Sequence, residues 1–382
     1  IAPGYFFRCI DRLLRVSSEE DILVIAKTIE EIIPPVSSRV ILSVREHLQN
    51  RAKKQGKRIF ANSKGKAWVT DDTRNIIAYD TINSLCSLLD AEIIRRLPNA
   101  PTILIDPEVI QYALPLSNKN TAEGFGIIPR GSLSSIHGDI LRLFVYWKEK
   151  EQRTDYDLSV LFLDQNFIDI GHVSWTNLRS EKDSTIVHSG DITHSESGAS
   201  EFIDINLSAK VKYIIPQLLI YSGEAFDEVE ECFCGFMSLS AQQKGKPFEP
   251  HAVRMKSDLH GKGKVALPVV FFRDETGNWK AKWMHLYMKG NPHMNTVEGT
   301  KVSTSMLVQA IVNREYLSVA YLLTLFAVTE SKIIPYKGRK SIPTEPVLSI
   351  GREEPEGLAK GSRVYTLQSL SRIIGDLTMQ KT

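Results

Sequence analysis

The sequence predicts a mainly β protein: a β-sandwich with an N-terminal α+β region before it and a C-terminal helical extension after it. Three observations carry that expectation. Apolar residues recur at helical spacing in the first part of the chain. After Asn118 short alternating segments separated by polar turns take over. Beyond about residue 300 an apolar helical stretch leads into a tail rich in Pro and Gly. The expected divisions are 1–117, 118–330 and 331–382.

In the first part, Ser17, Ser18, Glu19 and Glu20 read as a helix N-cap and acidic first turn. Ile22, Leu23, Ile25, Ala26, Ile29 and Ile32 follow at helical spacing, and Pro34 and Pro35 stop the helix. A second helix starts at Ser37 or Ser38 and carries Val40, Ile41, Val44 and Leu48. Residues 58–72 read as a hairpin turning at Ser63, Lys64 and Gly65. A third helix runs from Asp80 to Leu97 and ends at Pro98.

In the second part the strands are 141–147, 157–164, 201–207 and 212–221, then 266–274 and 279–290 around the turn Glu275 to Asn278. Ile203, Ile205 and Leu207 alternate with Phe202, Asp204 and Asn206, the period of a half-buried strand. Many short strands with regular turns suggest a sandwich. A helix near 303–328 follows, capped by Ser303 or Ser305, and the tail closes with an amphipathic piece, 364–377.

Composition narrows the function. The 382 residues hold 47 Lys and Arg against 45 Asp and Glu, a net charge of +2. That balance excludes a uniformly basic nucleic-acid binder and leaves room for local patches. The cysteines Cys9, Cys86, Cys232 and Cys234 are too few for a disulfide scaffold in a chain of this length. Cys232 and Cys234 share a strand face, but two thiols are half of a zinc site. No apolar run reaches the roughly 18 residues that span a bilayer, and no signal peptide is visible, so cytoplasmic residence is the expectation. A start at Ile1 suggests a fragment or processed product. No Gly-x-Ser-x-Gly, P-loop, dinucleotide fingerprint or His-Glu-x-x-His occurs, so the expectation is not an enzyme.

Three segments concentrate oxygen ligands. Asp155 and Asp157, two apart on a strand, lie on one face about 6–7 Å apart. Residues 188–201 hold Asp191, Glu196 and Glu201 with Gly190 and Gly198. Residues 221–231 hold Glu224, Asp227, Glu228, Glu230 and Glu231 and no basic residue. Hard carboxylate and carbonyl oxygens without soft ligands suit calcium, which takes about 6–8 oxygens in loose geometry.

The stretch IVHSGDITHSESGASEFIDINLS resembles the signature of the TerD family of tellurium-resistance and stress-response proteins. TDYDLSVLFLD, HVSWTN, QLLIYSGEAFDEVEECFCGF and GIIPRGSLSSI resemble further family segments in the same order, over about 126–290. The resemblance implies a calcium-binding β-sandwich that acts without catalysis, as a scaffold or sensor with other proteins of a stress-response complex. It implies Asp155, Asp157, Asp191 and Glu201 as ligands, with Asn177 at a matching position. The chain departs from the family where the loop ends in Ala199-Ser200-Glu201 rather than Asp-Asp-Glu, and where 146–150 reads YWKEK without the usual acidic residue. Fewer carboxylates imply weak calcium binding or a single site.

A rival reading rests on the segment from Arg45 to Lys66, where eight basic residues face one acidic residue, Glu46. Arg51, Lys53, Lys54, Lys57 and Arg58 are its phosphate-binding candidates, with Phe60 and Trp68 in the adjoining hairpin. The chemistry fits nucleic acid or an anionic membrane surface.

Overall fold

In the computed structural model the described residues are 2–54, 56–61, 66–116, 128–179, 186–207, 211–253, 255–289 and 297–378. Strands dominate the middle of the chain and helices its beginning. Two compact units emerge: one from 1–56, 72–120 and 314–382, the other from 57–71 and 121–313. This division cuts across the three consecutive segments expected from sequence.

The first unit is helical around a small sheet. Its helices are Pro3–Val16, Glu19–Ile32, Ser38–Gln49, Tyr79–Arg96 and Val319–Val328. Ser18 caps the second in a reciprocal box with Asp21, satisfying two orphan groups at that end. Arg96 donates to the carbonyls of Ile33, Pro34 and Val36 while paired with buried Glu92, so it closes the other end. Four strands form a parallel sheet in the order Lys332–Pro335, Thr102–Ile105, Leu348–Ile350, Arg363–Tyr365. The C-terminal residues were expected as a helical extension. Instead they supply three strands to a sheet whose inner strand, Thr102–Ile105, is wholly buried. Parallel strands demand long connections; the inner strands Thr102–Ile105 and Leu348–Ile350 are buried throughout and show no alternation, while the outer two are partly exposed.

The second unit holds two antiparallel sheets. The six-stranded sheet runs Leu133–Ser135, Trp279–Met288, Val265–Arg273, Tyr213–Ser222, Asp155–Leu163, Asp169–Val173. The five-stranded sheet runs Lys256–Asp258, Glu231–Leu239, Ile140–Lys148, Ala199–Asn206, Val187–His188. The sheets meet through aromatic rings: Phe236 packs edge-on to Phe271 at 5.1 Å and beside Trp283, and Trp147 packs against Tyr156. Pro216 and Pro268 sit in inner strands, where a missing N–H breaks the ladder. The registers shift there, between Ile214 and Leu218 and between Leu267 and Val269. Gln217, buried beside the break, is held by Thr300 and Thr304 at the start of helix Lys301–Val312.

The single helix expected over 303–328 is two. Lys301–Val312 follows Thr300, not Ser303 or Ser305, and belongs to the second unit; Val319–Val328 belongs to the first. The hairpin expected at 58–72 is present as Lys57–Ala61 paired with Ala67–Asp71; its tip, with Ser63, Lys64 and Gly65, lies outside the described residues. Gly126, at the head of one family-like segment, also lies outside them.

The strand 199–206 departs from its half-buried expectation. Asp204, predicted to face solvent, is fully buried. Its carboxylate pairs with buried Arg142 at 2.7 and 2.8 Å and accepts from Gly245 N–H. Arg142 also donates to the carbonyls of Lys246 and Gln243 and lies 4.0 Å from the Phe202 ring. Residues 243–248 thus cover the outer face of that sheet.

Candidate metal centre

Three carboxylates come together at one end of the strand Asp155–Leu163. Asp155, Asp157 and Asp191 each place an oxygen within 4.8 Å of the others. Asp155 and Asp157 share a face because they are two apart on a strand. Asp191 arrives from the loop after Val187–His188. Asp155 and Asp157 are 6% and 3% exposed, and Asp191 is exposed. Burial, then the negative charge of Asp191, pushes the Asp155 carboxyl up. Among the described residues, Asp155 Oδ1 is buried and has no hydrogen-bond partner. Orphaned buried oxygens are rare because they forfeit water without replacement, and a hard cation at this point would satisfy this one.

Glu201 lies outside this group of three. The strand 169–173 pairs with 160–163, so among the described residues no strand pairs with Leu158 on that side. Glu201 Oε2 accepts Leu158 N–H at 2.9 Å, and His188 Nε2 donates to Leu158 O at 2.8 Å. Two side chains thereby stand in for the missing strand. Glu201 Oε1 accepts Ile192 N–H, which fixes the residue beside Asp191. His188 Nδ1 accepts Gly190 N–H, so both ring nitrogens are used. Burial keeps this imidazole neutral by lowering its pKa.

Burial outweighs the two N–H donors at Glu201. With the Asp157 and Asp191 charges adding, it raises the carboxyl from 4.5 to about 8. A folded-state pKa above the unfolded one means the fold binds the proton more tightly. That stabilisation is complete below the unfolded value and is lost as pH rises through the folded one. Metal-free protein is therefore expected to lose melting temperature between about pH 4.5 and 8, and Glu201→Gln to flatten that slope in a scanning-calorimetry series.

Asn177 serves its own turn: its Nδ2 donates to His172 O, and its backbone pairs with Ser174. The segment 221–231 spends four of its five acidic groups elsewhere. Glu224 accepts N–H bonds from Lys150 and Glu151, Glu228 pairs with Lys262, Glu230 with Lys148, and Glu231 with His251. Its contribution is to knit loops. Glu224 N donates to Thr154 Oγ1 and Tyr156 donates to Glu224 O, which holds the entrance of the Asp155 strand. Gly223 makes this approach with φ +91°, and a Cβ there would lie 2.5 Å from Arg153 O and Thr154 Oγ1. Gly223→Ala is expected to cost more than about 1 kcal/mol in denaturant unfolding.

A second group, Glu149, His194 and Glu196, also gathers within 4.8 Å. Glu149 accepts the N–H of Thr154 and of Ser195, and His194 lies between the two glutamates. Glu149 falls in the YWKEK segment that lacks the family's acidic position. Cys232 and Cys234 are buried thiols that burial holds protonated, and Cys234 Sγ donates to Ser257 O.

The basic candidates divide between the units: Arg51, Lys53 and Lys54 in the first, Lys57 and Arg58 in the second. Arg51 is buried and bonds Asp11 and Asn75 O. Lys53 pairs with Glu315, and Lys57 with Asp71. Lys54 is exposed, and Arg58 lies over the Phe60 ring. Arg45, at the head of that run, is tied to Asp90. An open depression of about 360 Å³ lined by Phe236, Met237, Phe248 and Val253 includes none of the three grouped aspartates.

No family model matches the chain, and no curated protein matches it. Among solved structures, a protein of unknown function is 16% identical, with a TM-score of 0.33, covering 41% of this chain and 92% of its own. A homologue of the telluride resistance protein TerD from Streptomyces coelicolor A3(2) is 14% identical, with a TM-score of 0.33, covering 43% of this chain and 98% of its own. No helix among the described residues is long and apolar enough to cross a membrane.

Proposed function

We propose that the protein is a non-catalytic calcium-binding protein of the tellurium-resistance and stress-response type, its two facing sheets forming a TerD-like β-sandwich. The observation that carries this reading is the group Asp155, Asp157 and Asp191, with one buried oxygen left unpartnered. A doubly charged ion removes the repulsion among these carboxylates and draws the Asp191 loop toward the strand. Carbonyls and water complete the coordination that calcium requires. Glu201 acts behind the site, coupling the Asp191 loop to the Leu158 backbone. The ordered loops then form the surface that protein partners of a cytoplasmic stress-response complex read.

The motif residues His188, Asp191 and Glu201 support the family resemblance, since each has a defined place around one strand end. The shortage of carboxylates supports one weak site rather than two strong ones. Isothermal titration of chelator-treated protein is expected to show calcium binding that Asp191→Ala abolishes. Flat heats with the wild-type protein sink the reading.

A further inference from the structure

The hairpin Lys57–Ala61 and Ala67–Asp71 offers chemistry that the carboxylate group does not use. Arg58 pairs in register with Thr70, and Phe60 with Trp68. Directly opposed residues share a face, as do residues two apart on one strand, so these four form one face of the ribbon. Lys66, two residues before Trp68, continues that row and is exposed. The other face carries Ile59 and Val69, both partly buried.

On the outer face the Phe60 and Trp68 rings lie nearly parallel, 13° apart with centroids at 5.5 Å. Trp68 is 53% exposed. The Arg58 guanidinium stands 4.9 Å from the Phe60 ring centre. The hairpin's acidic residue, Asp71, is tied to Lys57. What faces outward is therefore an aromatic pair with a guanidinium over its Phe60 ring and an exposed lysine next in the row.

We propose that this face binds single-stranded nucleic acid, a base stacking on the Trp68–Phe60 pair while Arg58 and Lys66 meet backbone phosphates. Stacking on aromatic rings beside cationic groups is the common mode of sequence-tolerant strand binding. An anionic membrane is the less suited partner: the row has no aliphatic side chain to insert, and its rings lie against each other rather than splayed. The proposal does not rest on calcium binding and is tested in chelator.

The experiment is fluorescence anisotropy of labelled oligouridylate and oligothymidylate titrated with the full chain. Binding is expected that weakens roughly sevenfold between about 50 and 200 mM salt, as two phosphate contacts on a single strand dictate. Trp68→Ala is expected to weaken it about tenfold. Circular dichroism establishes that each variant folds. Arg58→Gln with Lys66→Gln leaves the aromatic pair in place and is expected to flatten the salt dependence. No anisotropy rise, wild-type affinity in folded Trp68→Ala, or an unchanged salt slope in the double variant each overturns the proposal. So does sedimentation with phosphatidylglycerol vesicles by protein that ignores both oligonucleotides.

Discussion

Replacing Arg142 with methionine is expected to lower the stability of the second unit by about 3–5 kcal/mol, because it leaves the Asp204 carboxylate buried without its partner. Asp204 is completely buried and Arg142 nearly so. The guanidinium makes two bonds to the carboxylate and two to the carbonyls of residues 243 and 246, and it stacks on Phe202 and Phe248. One side chain thus fastens the covering segment to the sheet. The pair itself is costly to desolvate, so removing both members costs less than removing one. Arg142→Met with Asp204→Leu is therefore expected to recover most of the loss. All five tryptophans lie in this unit, so urea unfolding followed by tryptophan fluorescence reports on it directly. A loss below about 1 kcal/mol in the single variant would mean that the apolar contacts of Phe248 hold the segment alone.

The second large effect has opposite signs with and without metal. Calcium at about 100 times its dissociation constant is expected to stabilise the wild-type protein by about 2.7 kcal/mol, seen as a raised melting temperature. Asp155→Asn is expected to lose that gain. Without metal the same variant is expected to be more stable than wild type at neutral pH. It removes a carboxylate charge that burial and Asp191 both penalise. A residue with only a packing role would shift both measurements in one direction. If Asp155→Asn melts at or below wild type in chelator, the strained empty site is not there.

The legible part of this protein was its local part. The Ser18 cap, the hairpin and the long strands are all properties of neighbours in the chain. The pairing of Asp155 with Asp157 was likewise readable, since period two places them together on any strand. Asp191 entered through the motif. Glu201 was read as a ligand because it sits in that motif, yet both of its oxygens hold backbone N–H groups. Nothing in the sequence says that strand 169–173 stops short of Leu158, and that stop is what gives Glu201 and His188 their work.

The acidic segment 221–231 and the basic run from Arg45 to Lys66 show the same division from the other side. Charge clusters are visible in sequence, but their partners are not. Glu224 turns inward to the N–H groups of residues 150 and 151, and Arg51 to Asp11, because those groups need bonds once buried. The strands 332–335, 348–350 and 363–365 were invisible for a further reason. Each is three or four residues long, and the strand they pair with, directly or through one another, lies more than two hundred residues away. Sequence alone determined the repertoire: helices first, alternating strands after, and acidic loops with hard oxygen ligands. Tertiary structure decided which charges remain available, because only packing says which carboxylates meet a backbone donor, which meet a cation, and which, like Asp155, are buried beside each other with an oxygen to spare.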